Sequence, residues 1–155
     1  MKPFRLAARA RERMEGTAAI EFALVFPLLF VMLYGIVTYS VIFVAKQSLT
    51  LAAEEGARAA LNYQSASSAA AALTARSQSA CTVATNSAGW LRNGANCTAQ
   101  AEACSYDASL DCVEVTLTYN YANRPLVPTL PLLGLALPGT LTSAATVQIN
   151  PENLL

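Results

Sequence analysis

FALVFPLLFVMLYGIVTYSVIFVA, residues 22–45, runs for 24 positions without a charge. As a helix it spans about 36 Å at about 1.5 Å per residue, enough to cross a hydrocarbon core of about 30 Å with some tilt. The competing reading is a buried core helix of a soluble domain. The rest of a 155-residue chain is too small to cover a helix that is apolar on every side. Tyr34 and Tyr39 sit within the run and are expected to face other helices or to bond within a bundle. The run is also too long for a secretory signal, whose apolar region is about 7–15 residues and ends at a small-x-small cleavage site. Phe43-Val44-Ala45 puts a bulky residue where a small one is needed, and Ala8-Arg9-Ala10 lies before the run rather than after it.

The charges flanking this segment are unequal. Ten basic and ten acidic residues cancel overall, yet residues 1–16 carry a net charge of +3 and the chain from residue 47 onward carries −3. A basic flank before the helix orients the N-terminus toward the cytoplasm and the bulk of the chain to the outside. The balanced total gives no pull toward nucleic acid. Histidine is absent, which removes the commonest general base, the commonest metal ligand and every Ser-His-Asp or Cys-His arrangement. Gly134 to Gly139 lacks the Lys and Ser/Thr of a phosphate loop. The expectation is therefore a chain without catalytic residues, metal or cofactor.

Just before the apolar run, Glu21 interrupts Ala18, Ala19, Ile20 and Phe22. A charge at mid-membrane costs about 2.5–3.5 kcal/mol, and less near the interface. Glu21 therefore calls for compensation, and a glutamate that merely snorkels to the interface is the competing reading. Cleavage after Gly16 would give Thr17 a new α-amino group four residues before Glu21. Positions i and i+4 share a helix face, and a carboxylate near a helix N-terminus is favoured by the dipole. Glu21 could then pair with its own amine or with that of a neighbouring subunit. Gly16 is expected to be an unhindered, non-helical scissile position.

The basic leader, Gly16-Thr17-Ala18-Ala19-Ile20-Glu21-Phe22 and the EFALVFPLLFVML segment containing Pro27 together resemble the TadE-like family of pilin-related proteins. The motif is similar to a prepilin cleavage site of the Tad (Flp, type IVb) pilus system. The resemblance implies removal of residues 1–16 by a membrane prepilin peptidase, with Gly16 before the cut, Thr17 as the first mature residue, and Phe22 as the aromatic after Glu21. It also implies an inner-membrane minor pilin or pseudopilin that works with other pilin-like subunits and the Tad inner-membrane assembly platform. VTLTYNYANRPLVPTLPLL followed by LTSAATVQ resembles the C-terminal part of such proteins.

Beyond the anchor, KQSLTLAAEEGARAAL continues the helix to Leu61, with Glu54 and Arg58 as an i,i+4 pair. Leu49, Ala52, Ala53, Gly56 and Ala60 form a small-residue face. Pro27 is expected to kink the helix. Residues 65–80 are Ala- and Ser-rich and read as a second helix or as a flexible linker, and 82–96 read as loop with one helical turn. Period-two alternation marks strands at 112–121 and Leu141–Ile149, with a weaker one at 98–106. The apolar, proline-rich loop 124–139 is expected to cover the sheet's edge or core, or else to dock on a membrane or partner.

Cys81, Cys97, Cys104 and Cys112 all follow the anchor, and an even number in an exported domain reads as two disulfides. If Cys104 faces Cys112 across a hairpin, Ala103 faces Val113 and Ala101 faces Val115, so the apolar faces coincide. Glu102 then faces Glu114, which argues mildly against that register. Cys81 would pair with Cys97 by elimination. Asp107 and Asp111 are expected to flank the hairpin turn.

The sequence thus predicts an α+β chain. It comprises a leader (1–16), a transmembrane helix (17–46), a helical stem with a second helix (47–80) and a disulfide-stapled, β-rich extracytoplasmic head (81–155). The alternative to a pilin is a single-pass tethered protein that keeps its leader and binds a ligand or partner.

Overall fold

The computed structural model describes residues 5–130 and 133–154, with only the backbone for residues 5–16, 133 and 135. The chain divides into two compact units, Met1–Ser40 and Val41–Leu155.

In the first unit, helix α1 (Arg5–Ala59) begins. Among the described residues its portion Thr17–Ala59 is the one helix long and apolar enough to cross a membrane, with a mean hydropathy of 2.3 over its most apolar 18 residues and none of that window buried. Phe22, Leu24, Leu28 and Ile36 are each more than 60% exposed. Side chains of this kind on all sides need lipid or other helices as their surroundings. Pro27 lies within α1, which continues through it; one lost backbone donor leaves the remaining ladder in place.

The second unit contains the end of α1, a second helix α2 (Ala69–Ser87) and an antiparallel sheet in the order β1 (Ala95–Cys104), β2 (Asp107–Tyr119), β3 (Leu141–Ile149). This is the expected α+β class, and β3 has the expected bounds. The helices pack on the sheet through small side chains. Ala45, Leu49, Ala52 and Ala53 of α1, Ala60 just after it, Ala72, Ala80 and Ala84 of α2, and Val113, Val115 and Leu117 of β2 are buried together. Gly56 lies at the tightest point, where an added Cβ would sit 2.7 Å from the Ala84 Cβ and 2.9 Å from the Ala80 carbonyl oxygen.

Several expectations are corrected. Residues 65–80 are neither linker nor the whole helix: α2 starts after Ser68, whose hydroxyl accepts the Ala71 amide at 3.3 Å, and runs to Ser87 through residues read as loop. Thr74, Thr82 and Thr85 return their hydroxyls to the carbonyls of Ala70, Gln78 and Cys81 at 2.8–3.0 Å. Their polarity is thereby satisfied within the helix instead of breaking it. The boundary drawn at residue 80 consequently falls inside α2. The α1 ion pair joins Arg58 to Glu55 at 3.1 Å, three residues apart, rather than to Glu54.

The hairpin register also differs by two residues. Glu102 faces Cys112, Gln100 faces Glu114, Ala101 faces Val113 and Ala99 faces Val115. A shift of two keeps every side chain on its own face, so the apolar positions still coincide. It also removes the facing glutamates. An irregularity between Ala103 and Cys104 absorbs the difference. The turn is Ser105-Tyr106, so Asp107 and Asp111 both lie on β2 rather than on either side of it.

The loop after β2 is closed at its base by the Ala122 amide donating to the Gly139 carbonyl at 2.9 Å. Leu126 and Leu137 pack against the core, which accounts for part of the loop's apolar content. Pro131 and Leu132 lie outside the described residues. Arg124 donates from Nη1 to the Asn93 carbonyl, and the Tyr119 hydroxyl donates to the Arg124 carbonyl at 2.9 Å. Together these contacts bind the loop to the end of the sheet where the Tyr119 ring covers Gly94.

Candidate functional site

Gly16, Thr17, Glu21 and Phe22 fall on consecutive turns of α1 in the first unit. Gly16 is helical, contrary to the non-helical scissile position expected. The residues before it (Ala, Arg, Glu and Met) are good helix formers, and one glycine costs a helix only about 1 kcal/mol. Gly16 is therefore a weak point in a continuous helix rather than a break. Thr17 and Glu21 are four positions apart on that helix, about 6 Å along its axis and on one face. Glu21 is exposed between Ile20 and Phe22, each 66% exposed. It makes no ion pair with a described residue. Phe22 stacks on Phe26 with ring centroids 5.3 Å apart, a contact that rigidifies the turn beyond the carboxylate. The Thr17 nitrogen is a peptide N–H within α1 and carries no charge.

The four cysteines lie in the second unit and form two disulfides. Cys81 in α2 bonds to Cys97 in β1, with Cα atoms 5.6 Å apart, and Cys104 bonds to Cys112 across the hairpin at 5.0 Å. These are the two pairs preferred from the sequence, although the register used to choose them was off by two. The first bond fastens a helix to the sheet, and the second closes the turn. Among the described residues there is no free cysteine and no cluster of His, Cys, Asp or Glu able to hold a metal.

Two features were not singled out in the sequence. Arg76 of α2 is buried, at 2% exposure, and donates from Nη2 to the Asn153 carbonyl at 2.6 Å. A lone arginine in an Ala/Ser helix gives no sign of burial. Tyr106 stands in the two-residue turn, 68% exposed; an aromatic residue flanked closely by two bonded cysteines could have marked it.

The fold defines a chain with one apolar N-terminal helix of membrane-spanning length, the mark of a single-pass anchor, and a disulfide-bonded α+β unit. Residues 16–58, about a quarter of the chain, match the family model described as TadE-like protein, the family that the N-terminal motif resembles. Over this segment the chain is similar to TadE-like proteins. No curated protein and no solved structure matches the chain.

Proposed function

We propose that the protein is a TadE-like minor pilin or pseudopilin required to assemble a Tad-type adhesive pilus. The observation that carries this reading is where the family match begins: it starts at Gly16, spans Glu21 and the apolar run, and stops at Arg58, one residue before α1 ends. The basic leader holds the N-terminus in the cytoplasm, and the disulfides suit an oxidising compartment outside the inner membrane. A prepilin peptidase cuts between Gly16 and Thr17 after unwinding the helix locally, which costs least at glycine. The new amine, one turn before Glu21, neutralises the carboxylate in cis or from an adjacent subunit, so proteolysis completes the pairing site. The helix then packs with other pilin-like subunits on the Tad assembly platform, while the second unit forms the extracytoplasmic head. The chain itself performs no catalysis.

The test is complementation. A strain lacking the protein should show no surface pili by electron microscopy. The wild-type gene should restore them, and Glu21→Ala should insert normally yet restore few. Normal piliation of the deletion strain would contradict the proposal.

A further inference from the structure

The outer face of the sheet bears a cleft at its hairpin end. Gln100, Glu114 and Thr146 form one row across β1, β2 and β3, while Glu102, Cys112 and Gln148 form the next row. Gln100, Glu102, Ser105, Tyr106, Glu114 and Thr146 line an open cleft of about 390 Å³, within the range of small-molecule sites, about 300–1,000 Å³. We propose that this cleft binds a saccharide of one or two sugar units.

The lining decides the ligand class. Most small-molecule sites are predominantly apolar, whereas here polar and apolar surface line the cleft in nearly equal shares, and a wholly apolar ligand would strip the hydration of the polar half without replacing it. Gln100, Ser105 and Thr146 both donate and accept, while Glu102 and Glu114 as carboxylates only accept. A set of hydroxyls, each both donor and acceptor, satisfies that mixture. A cationic side chain could donate to the carboxylates and to the oxygens of Gln100, Ser105 and Thr146, but it offers no acceptor for their N–H and O–H donors. A chelated metal is disfavoured because no metal-holding cluster exists among the described residues.

Tyr106 supplies what remains. Its hydroxyl donates to Gln148 Oε1 at 2.8 Å, which fixes the ring at the cleft while leaving it exposed. An aromatic ring with a negative face suits the C–H face of a pyranose. The turn that carries it is closed by the Cys104–Cys112 bond, and at the start of β2 the Ser109 amide and hydroxyl donate to Asp107 Oδ1 at 2.9 and 2.7 Å. The site is therefore preorganised, and little ordering is needed on binding. The inference stands on the second unit alone and holds whether or not the leader is removed.

Saturation-transfer difference NMR on the full chain in nanodiscs, free of glycoside detergents, tests it. The probes are lactose, cellobiose and N,N′-diacetylchitobiose, each at about 10 mM. At least one should receive saturation. Tyr106→Ala should reduce the signal more than about tenfold, and Tyr106→Phe and Glu114→Gln by about two- to fivefold. Tyr63→Ala, at an exposed aromatic residue outside the cleft, should leave it unchanged. Because Tyr106 is exposed, its alanine variant should keep the wild-type amide spectrum. Absence of transfer to all three sugars, a signal that survives Tyr106→Ala, or binding of a tri-lysine peptide in place of the sugars would overturn the proposal.

Discussion

Gly56 of α1 and Ala84 of α2 approach so closely that a Cβ on Gly56 would lie 2.7 Å from that of Ala84, with Val115 Cγ1 at 3.2 Å on the sheet side. Two helices and the central strand meet at this point, and no side chain can shift to make room. Gly56→Leu should destabilise the head by about 1–3 kcal/mol or more through overpacking. This outweighs the gain of about 1 kcal/mol in helix propensity from replacing glycine. Urea unfolding of the full chain in micelles, followed by tyrosine circular dichroism, checks it; an unchanged midpoint would contradict the close crossing.

The two disulfides should make similar contributions. Their sequence separations are 16 and 8, and loop closure depends only weakly on length. Replacing either pair by serines should therefore cost about 2–3 kcal/mol, with the Cys81–Cys97 pair costing more by about 0.5 kcal/mol. Thermal unfolding of the two double variants gives the comparison, and non-reducing peptide mapping should return only these two linkages.

Arg76 holds the C-terminal segment. Its buried guanidinium donates to the Asn153 carbonyl, and the neighbouring Leu154 is buried at 1% exposure. Arg76→Met keeps much of the volume but leaves that carbonyl without its partner, at a cost of about 1–3 kcal/mol. Hydrogen exchange over residues 150–154 should accelerate at least about tenfold, since about 1.4 kcal/mol is a factor of ten. Unchanged protection would mean that Leu154 alone secures the segment.

Asp107 should titrate at low pH. The Ser109 hydroxyl, followed by the Ser109 amide, favours the carboxylate and lowers its pKa from the ordinary 3.8. With a depressed folded pKa, this local stabilisation is fully present above 3.8 and is lost as pH falls through the lower folded value. The Ser109 amide shift should therefore titrate with a midpoint below 3.8. A midpoint at or above that value would show that the Asp107–Ser109 contact does not form in solution.

The sequence carried the anchor and the strand at Leu141–Ile149 because each writes a local signal, a long uncharged run and strict alternation, while the cysteine pairs followed from an even count and their closeness to one hairpin and not from its exact register. The length of α2 was not legible. Thr82 and Thr85 look like loop residues until their hydroxyls are seen bonded to carbonyls four residues back. The hairpin register was misread because a shift of two leaves the apolar pattern unchanged, so alternation cannot distinguish the two alignments. Of the candidate site, the Gly16–Phe22 spacing was readable. The burial of Arg76 and the cleft at Tyr106 were not, since both arise from elements distant in sequence.

The central claim is that proteolysis at Gly16 creates the partner of Glu21. Intact mass and N-terminal peptide analysis of the native protein, taken from a cell with an active prepilin peptidase, tests it most directly. The account predicts a chain that begins at Thr17, with Gly16→Val accumulating uncut. A mature protein that still carries residues 1–16 would contradict it.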